Sequence, residues 1–219
     1  MRSNDIRSWL ADPDRPGSLA GAARSKRWEM FLRAFPETES MEILDIGGTA
    51  HYWQSAPVEP ARVTVLNLWG DEAAGSPRLR VVRGDACEPP PEVASATFDL
   101  VYSNSTIEHV GGHTRRRQFA DVVRGLAGHH WVQTPYRYFP LEPHVGFPLF
   151  QHLPLRVRVA VAARWPLTPT GFPTRPEEVR DQLMDIELLS KLELAAYFPE
   201  SRIELERVAG LVKSLIAVR

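Results

Sequence analysis

The sequence has 219 residues, 43% of them hydrophobic and 24% charged, and a formal net charge of -1 that leaves seven histidines uncounted. This composition suits one soluble globular domain, 1–219, with a substantial core. It excludes the basic excess by which a protein usually holds nucleic acid. A lone cysteine, Cys87, excludes an intramolecular disulfide and fits a reducing compartment. The opening stretch MRSNDIRSWLADPDRPG is too broken by charges and prolines for a secretory signal. No apolar run approaches the roughly 18 residues of a membrane span. The expectation is a cytoplasmic protein with neither nucleic acid nor membrane as partner.

In chain order, residues 1–15 read as loosely ordered and lead an N-terminal helical segment, 1–40. From Ser18 to Phe35 the apolar positions Leu19, Ala22, Ala23, Trp28, Phe31 and Leu32 fall near helical spacing, and Pro36 ends the pattern. Short β-type runs come next at 41–46 (MEILDI), 62–68 (RVTVLNL), 79–84 (LRVVRG), 98–103 (FDLVYS) and 129–134 (HHWVQT). Several are apolar throughout, as strands covered on both faces of a parallel sheet must be. A helix is expected over His113–Leu126, where Arg115-Arg116-Arg117 reads as a solvated face. Residues 135–176 hold nine of the nineteen prolines and many aromatics, among them Tyr136, Tyr138, Phe147, Phe150, Trp165 and Phe172. This stretch is too apolar for a linker and reads as an ordered lid inserted after the fifth strand, over the sheet's carboxyl edge. A helix over Ile186–Phe198 and two strands, 202–208 and 211–218, joined at Ala209-Gly210, complete the pattern. The fold class is α/β: a Rossmann-like, seven-stranded, mostly parallel sheet with a terminal antiparallel hairpin.

The first strand runs into ILDIGGTAHYW, residues 43–53. Asp45 and the pair Gly47-Gly48 sit where a dinucleotide fold would place G-x-G-x-x-G, yet no further glycine comes after them. A tight turn alone would account for the pair. Three later stretches add to it, each at the carboxyl end of a strand, where open α/β sheets bind ligands. Asn67 ends the second strand, where an adenosine-type ligand presents its ribose hydroxyls; its amide can accept one and donate to another. "GDA" comes after the third, where Asp85 could accept from an adenine amine, or simply cap a helix. "FDLVYSNSTIEHV" spans the fourth strand and the loop at its carboxyl end.

That ordered set resembles the class I S-adenosylmethionine-dependent methyltransferases over residues 41–134, and the terminal strand pair fits the same sheet. The resemblance implies S-adenosyl-L-methionine as cofactor, a nucleoside with an amino-acid tail and no phosphate. By it, Asp45, Gly47 and Gly48 would line the methionine portion, Asn67 the ribose, Asp85 and Ala86 the adenine, and Ser103 the sulfonium side. Thr49, Asn67 and the short helix before Pro57 depart from the common pattern and leave a non-catalytic, cofactor-binding protein as an alternative.

Methyl transfer to a hydroxyl needs the acceptor held in line and its proton removed. His144, in YRYFPLEPHVGFP, is the candidate base, with Glu142 two positions earlier to orient it or to bind Mg²⁺. His109, in STIEHV, either bridges loop and cofactor site or takes that role itself. His113, His129, His130 and His152 read as structural, and no Cys/His spacing supports zinc. Tyr136, Arg137, Tyr138 and Glu142, with His109, are the expected substrate-binding set: flat faces beside hydrogen-bonding heads suit a sugar. A phenol, quinone or lipid would accept the same pocket. The stretch TPYRYFPLEPHVGFPLFQHLP is also similar to one in the 1-O-methyltransferases of methylmannose polysaccharide synthesis in actinobacteria. That similarity implies a short mannoside as acceptor, with a magnesium ion admissible. A homodimer is left open.

Overall fold

The computed structural model describes residues 14–69, 76–165 and 175–219. Residues 1–13 of the N-terminal segment and 166–174 of the expected lid, including Phe172, lie outside them.

Helix α1, Leu19–Ala34, is capped by Ser18, whose hydroxyl accepts from the Gly21 N–H at 2.9 Å. Strand β1, Glu42–Ile46, leads to the five-residue helix α2, Ala50–Gln54, capped by Thr49. Strands β2, Arg62–Asn67, and β3, Leu79–Arg83, lead to the short helix α3, Pro91–Ala94. Strand β4, Phe98–Asn104, helix α4, His113–Leu126, and strand β5, Ala127–Pro135, complete the parallel part. Between β5 and the terminal strands come a two-stranded ribbon, β6 Leu141–Glu142 and β7 Phe147–Pro148, then α5 Leu155–Ala162, α6 Pro176–Met184 and α7 Lys191–Tyr197. Strands β8, Arg202–Val208, and β9, Leu211–Val218, finish the sheet.

The strand order is β3-β2-β1-β4-β5-β9-β8, parallel up to β5 and antiparallel beyond it. The hairpin turn has positive φ at Ala209 and Gly210, 48° and 82°. The uninterrupted apolar runs are explained by cover on both faces. On one face Leu44, Ile46, Leu66 and Val101 pack with Phe119 and Val123 of α4 and Leu194 of α7. On the other, Ile43, Val63, Val65 and Leu100 meet Trp28 and Phe31 of α1 and Trp53 of α2. Arg27 of α1 adds a polar tie, reaching Asn104 Oδ1 at 3.1 Å and the enclosed Glu206 of β8 at 3.1 Å. Among the described residues no helix is long and apolar enough to cross a membrane.

Two local readings are corrected. The single helix expected over Ile186–Phe198 is irregular chain over 186–190, where Leu189 bridges Tyr136, and gives way to α7 because Ser190 and Glu193 form a capping box that starts the helix there. The arginine run on α4 is not a solvated face: Arg115 grips Asp85, Arg116 is buried and paired with Glu187, and only Arg117 is exposed.

Phe31 has no solvent exposure and its ring meets Trp28, Phe35, Tyr102 and Trp131 edge-on or tilted. Phe31→Ala should lower unfolding stability by about 3–5 kcal/mol, read as a shift in the urea midpoint with little change in slope.

Candidate functional site

The parallel strands deliver their carboxyl ends to one edge, and a cleft of about 350 Å³ opens there. It is lined by Gly47, Asn67, Asp85, Ala86, Thr106 and His109, with Leu66, Trp69, Ser105 and Arg115 among the rest. Five of the expected cofactor and substrate positions therefore share one cavity.

Its floor is the β1 turn. Gly47 has φ +85°, a conformation that favours glycine, and an added Cβ would lie 2.2 Å from Thr106 Oγ1. Gly48 lies directly over Asp45, so that a Cβ there would fall 1.7 Å from the Asp45 carboxylate. Asp45 itself is fully enclosed below the loop. The indole N–H of Trp53 donates to its Oδ2 at 2.7 Å, while Oδ1 has no partner. Burial pushes the Asp45 carboxyl up to about 7, and the Trp53 hydrogen bond offsets only part of that rise. Asn67 spans the turn: its Nδ2 donates to the Gly48 carbonyl at 2.7 Å, and its Oδ1 accepts from the Trp69 N–H at 3.1 Å. A carboxylate at this position could not make the first bond, which gives the departure at Asn67 a structural reason.

At the far end, Asp85 accepts two contacts from Arg115 Nη2, at 2.7 and 2.6 Å, and one from the Cys87 N–H at 2.8 Å. Although partial burial works against it, these bonds hold the Asp85 carboxyl below its ordinary value. Ser103 does not reach the cleft: it is buried and its hydroxyl donates to the Ile46 carbonyl at 2.9 Å, tying β4 to β1. Ser105 and Thr106 line the cavity instead, because the chain turns at Ser105, where φ is +58°.

The second half of the site is a polar chain from the insert to the rim of the cleft. Glu142 is 3% exposed; its Oε1 meets His144 Nδ1 at 2.7 Å and its Oε2 accepts from the Val145 N–H at 2.7 Å. Both oxygens are thus committed, and Glu142 does not offer the free carboxylate expected for Mg²⁺. His144 Nε2 faces His109 Nε2 at 3.1 Å. Burial alone would depress His144, but the hydrogen bond and charge of Glu142, with the charge of Glu108, raise it above its ordinary value. His109 is solvent-exposed at the rim, yet partial desolvation of its ring and the neighbouring His144 lower it, to about 4. Beneath the pair lies Glu108, fully buried. Its Oε2 accepts from the Thr134 hydroxyl at 2.9 Å, its Oε1 has no partner, and burial pushes it up to about 7. Donor atoms of Glu108, His109 and His144 gather within 4.8 Å of one another.

A second cavity, about 270 Å³, opens beside Glu142, with Arg137, Gln151, His152, Arg158 and Glu187 on its polar side. Arg137 is held by the Leu188 carbonyl and Glu193, both at 2.8 Å. Tyr136 and Tyr138 line neither cavity: their rings pack on each other, and Tyr138 also stacks over His152 and is exposed. Arg115, Trp53, Thr106 and Glu108 belong to the site, yet nothing in the sequence pattern marks the first three. Only Glu108, next to His109 in "IEH", carries a signal there.

No family model matches the sequence, and no curated protein is matched by it. Solved structures do match. The N-methyltransferase NodS from Bradyrhizobium japonicum, in complex with S-adenosyl-L-homocysteine, is 13% identical, with TM-score 0.54 over 97% of this chain and 94% of that one. The N-terminal domain of EvdMO1, solved in the presence of S-adenosylhomocysteine and D-fucose, is 15% identical, with TM-score 0.52 over 100% and 96%. An O-methyltransferase family protein from Burkholderia thailandensis is 10% identical, with TM-score 0.53 over 99% of this chain but 59% of that one. At these identities the likeness is one of fold: the chain has the Rossmann-like fold found in S-adenosylmethionine-dependent methyltransferases.

Proposed function

We propose that the protein is an S-adenosylmethionine-dependent O-methyltransferase acting on a carbohydrate hydroxyl, with the anomeric 1-OH of a short mannoside as the first acceptor to test. The observation that carries this reading is the Glu142–His144–His109 chain, which ends at the rim of the cleft built on Asp45 and the glycine turn. Fold neighbours solved in complex with or in the presence of S-adenosylhomocysteine support the cofactor part of it. N-methyltransferases share the fold, so the choice of oxygen rests on the histidine and its carboxylate.

The cofactor, when bound, supplies an electrophilic methyl on sulfur. The residues present fit such a group. Asp45 Oδ1 is an enclosed acceptor without a hydrogen-bond donor beneath the glycine turn; an ammonium would meet it once the turn shifts, and Gly48 puts no Cβ in the way. Asn67 keeps one N–H and one lone pair for ribose hydroxyls, and Ala86 leaves room for a flat base beside the Asp85–Arg115 pair. Glu142 fixes the His144 ring through Nδ1, and Nε2, which faces His109 Nε2 at 3.1 Å, would accept the proton of the acceptor hydroxyl once the acceptor replaces His109 as its partner. The polar second cavity beside Glu142 would hold the rest of a hydroxylated acceptor.

The direct test is transfer of labelled methyl from S-adenosylmethionine to mannosides and glucosides with free or blocked anomeric hydroxyls, a catechol and a fatty acid. Label in one sugar, lost when one hydroxyl is blocked, is the expected result; label in the catechol or fatty acid instead would overturn the sugar reading. Cofactor binding without transfer to any of them would favour a binding protein. His144→Ala should lower kcat by about two decades or more with cofactor affinity nearly intact. A near-normal kcat would move the proton-accepting role elsewhere. Because the Asp45 carboxyl must ionise to receive an ammonium and does so only near pH 7 in the free protein, affinity for S-adenosylhomocysteine should rise with pH between about 5 and 7. In Asp45→Asn, calorimetry should show that slope flattened and the affinity about tenfold or more weaker.

A further inference from the structure

We infer that Glu108, His109 and His144 form a binding site for a divalent cation of the transition series, of the zinc or cobalt type. What the site would do rests on the methyl-transfer reading; whether the site exists is measured without turnover.

Three observations converge. First, the two Nε2 atoms face each other at 3.1 Å. Two imidazoles on a tetrahedral zinc, each at about 2.0–2.1 Å, would stand roughly 3.3 Å apart. Second, a carboxylate oxygen of Glu108 gathers with a ring nitrogen of each histidine, the three donor atoms lying within 4.8 Å of one another. A hydrogen bond between two neutral imidazoles would explain the first distance but not the second. Third, the enclosed charge is unbalanced. Glu108 and Glu142 are 0% and 3% exposed, and among the described residues neither has an ion pair with lysine or arginine. Glu108 Oε1 is buried without a hydrogen-bond partner. A dication would offset two enclosed carboxylates whose only ion-pair partner among the described residues is His144.

The surroundings are those of a ligand set. Glu142 accepts at His144 Nδ1 and so turns Nε2 toward the cluster, as carboxylates do behind metal-bound histidines. Thr134 fixes the Glu108 carboxylate from behind. Two imidazole nitrogens and one carboxylate select zinc-like ions over magnesium, which prefers all-oxygen, octahedral surroundings. Three protein ligands also leave a fourth position open, as in catalytic zinc sites. An acceptor hydroxyl bound there would lose its proton more readily. Nε2 of His144 cannot hold a cation and accept a proton at once, so the loaded and free proteins would activate the acceptor differently.

The experiment is a titration of untagged, chelator-treated protein with Co²⁺, monitored by its visible absorption. The expected result is one equivalent bound with the intense bands of a tetrahedral site, displaced by Zn²⁺ and unaffected by millimolar Mg²⁺. His109→Ala and Glu108→Gln should each weaken binding tenfold or more. Because either variant could perturb folding, X-ray absorption on the zinc-loaded wild-type protein provides a second reading, with two imidazoles and oxygen expected in the coordination shell. Absence of stoichiometric binding, unchanged affinity in folded His109→Ala, or a shell with fewer than two imidazoles would overturn the site. Failure here would leave the labelled-methyl assay standing, and failure of that assay would leave the cation titration standing.

Discussion

The cleft depends on one enclosed carboxylate. Asp45 ends β1 beneath its own loop, and the packing around it decides where that loop runs: Trp53 donates from below, and Gly48 is the only residue type that can cross above. The Trp53 indole is part of the aromatic layer with Trp28, Tyr52 and Tyr102, so the position of the turn is transmitted to α1 and to the sheet face it covers. Asn67 then fastens the same turn to the end of β2. A single buried acid thereby anchors the turn and leaves one oxygen without a hydrogen-bond partner beneath it. An unsatisfied buried acceptor opposes folding, and its presence at this spot is what a binding function would require.

Electrostatically the site has two unlike halves. Around Asp85 the charges are paired and partly exposed, with Arg115 facing the carboxylate directly. Around Glu108 and Glu142 the carboxylates are enclosed and the only cationic side chain in ion-pair contact among the described residues is a histidine. The first half is suited to holding shape, since its ion pair is already complete. Protons or cations can be exchanged in the second half, because its charges are balanced only by groups that titrate or bind ions. The division reflects the fold: α4 supplies an arginine to one end of the cleft, while the ribbon β6–β7 and its turn bring an acid and a histidine against His109 at the rim.

The sheet was legible in the sequence because strands covered on both faces are apolar without interruption, and the strand ends carried Asp45, Asn67 and Asp85 in order. What could not be read were partners. Nothing in the spacing links Trp53 to Asp45, Arg115 to Asp85, or His109 to His144, since the first pair is joined across a turn and the other two are separated by whole helices and strands. Ser103 shows the limit at its finest: whether the strand's last serine or the next one faces the cleft depends on where the chain leaves the sheet, and the left-handed conformation at Ser105 decides it. Likewise α7 begins late because a local capping box outweighs the apolar periodicity of 186–198. The cysteine and histidine spacings that gave no hint of zinc could not anticipate a cluster assembled from two distant loops.

The place of β9 has a consequence for how the chain becomes a protein. It lies between β5 and β8, with Leu215, Ile216 and Ala217 fully buried and the Arg219 carbonyl accepting from the His130 N–H at 3.2 Å. Until residues 211–218 have been synthesised, β5 is a strand with an unpaired edge, and such edges recruit other chains. Closure therefore joins parts of the sequence far apart, a slow kind of contact. During translation, the half-made sheet would have to be kept from its neighbours until the last strand arrives.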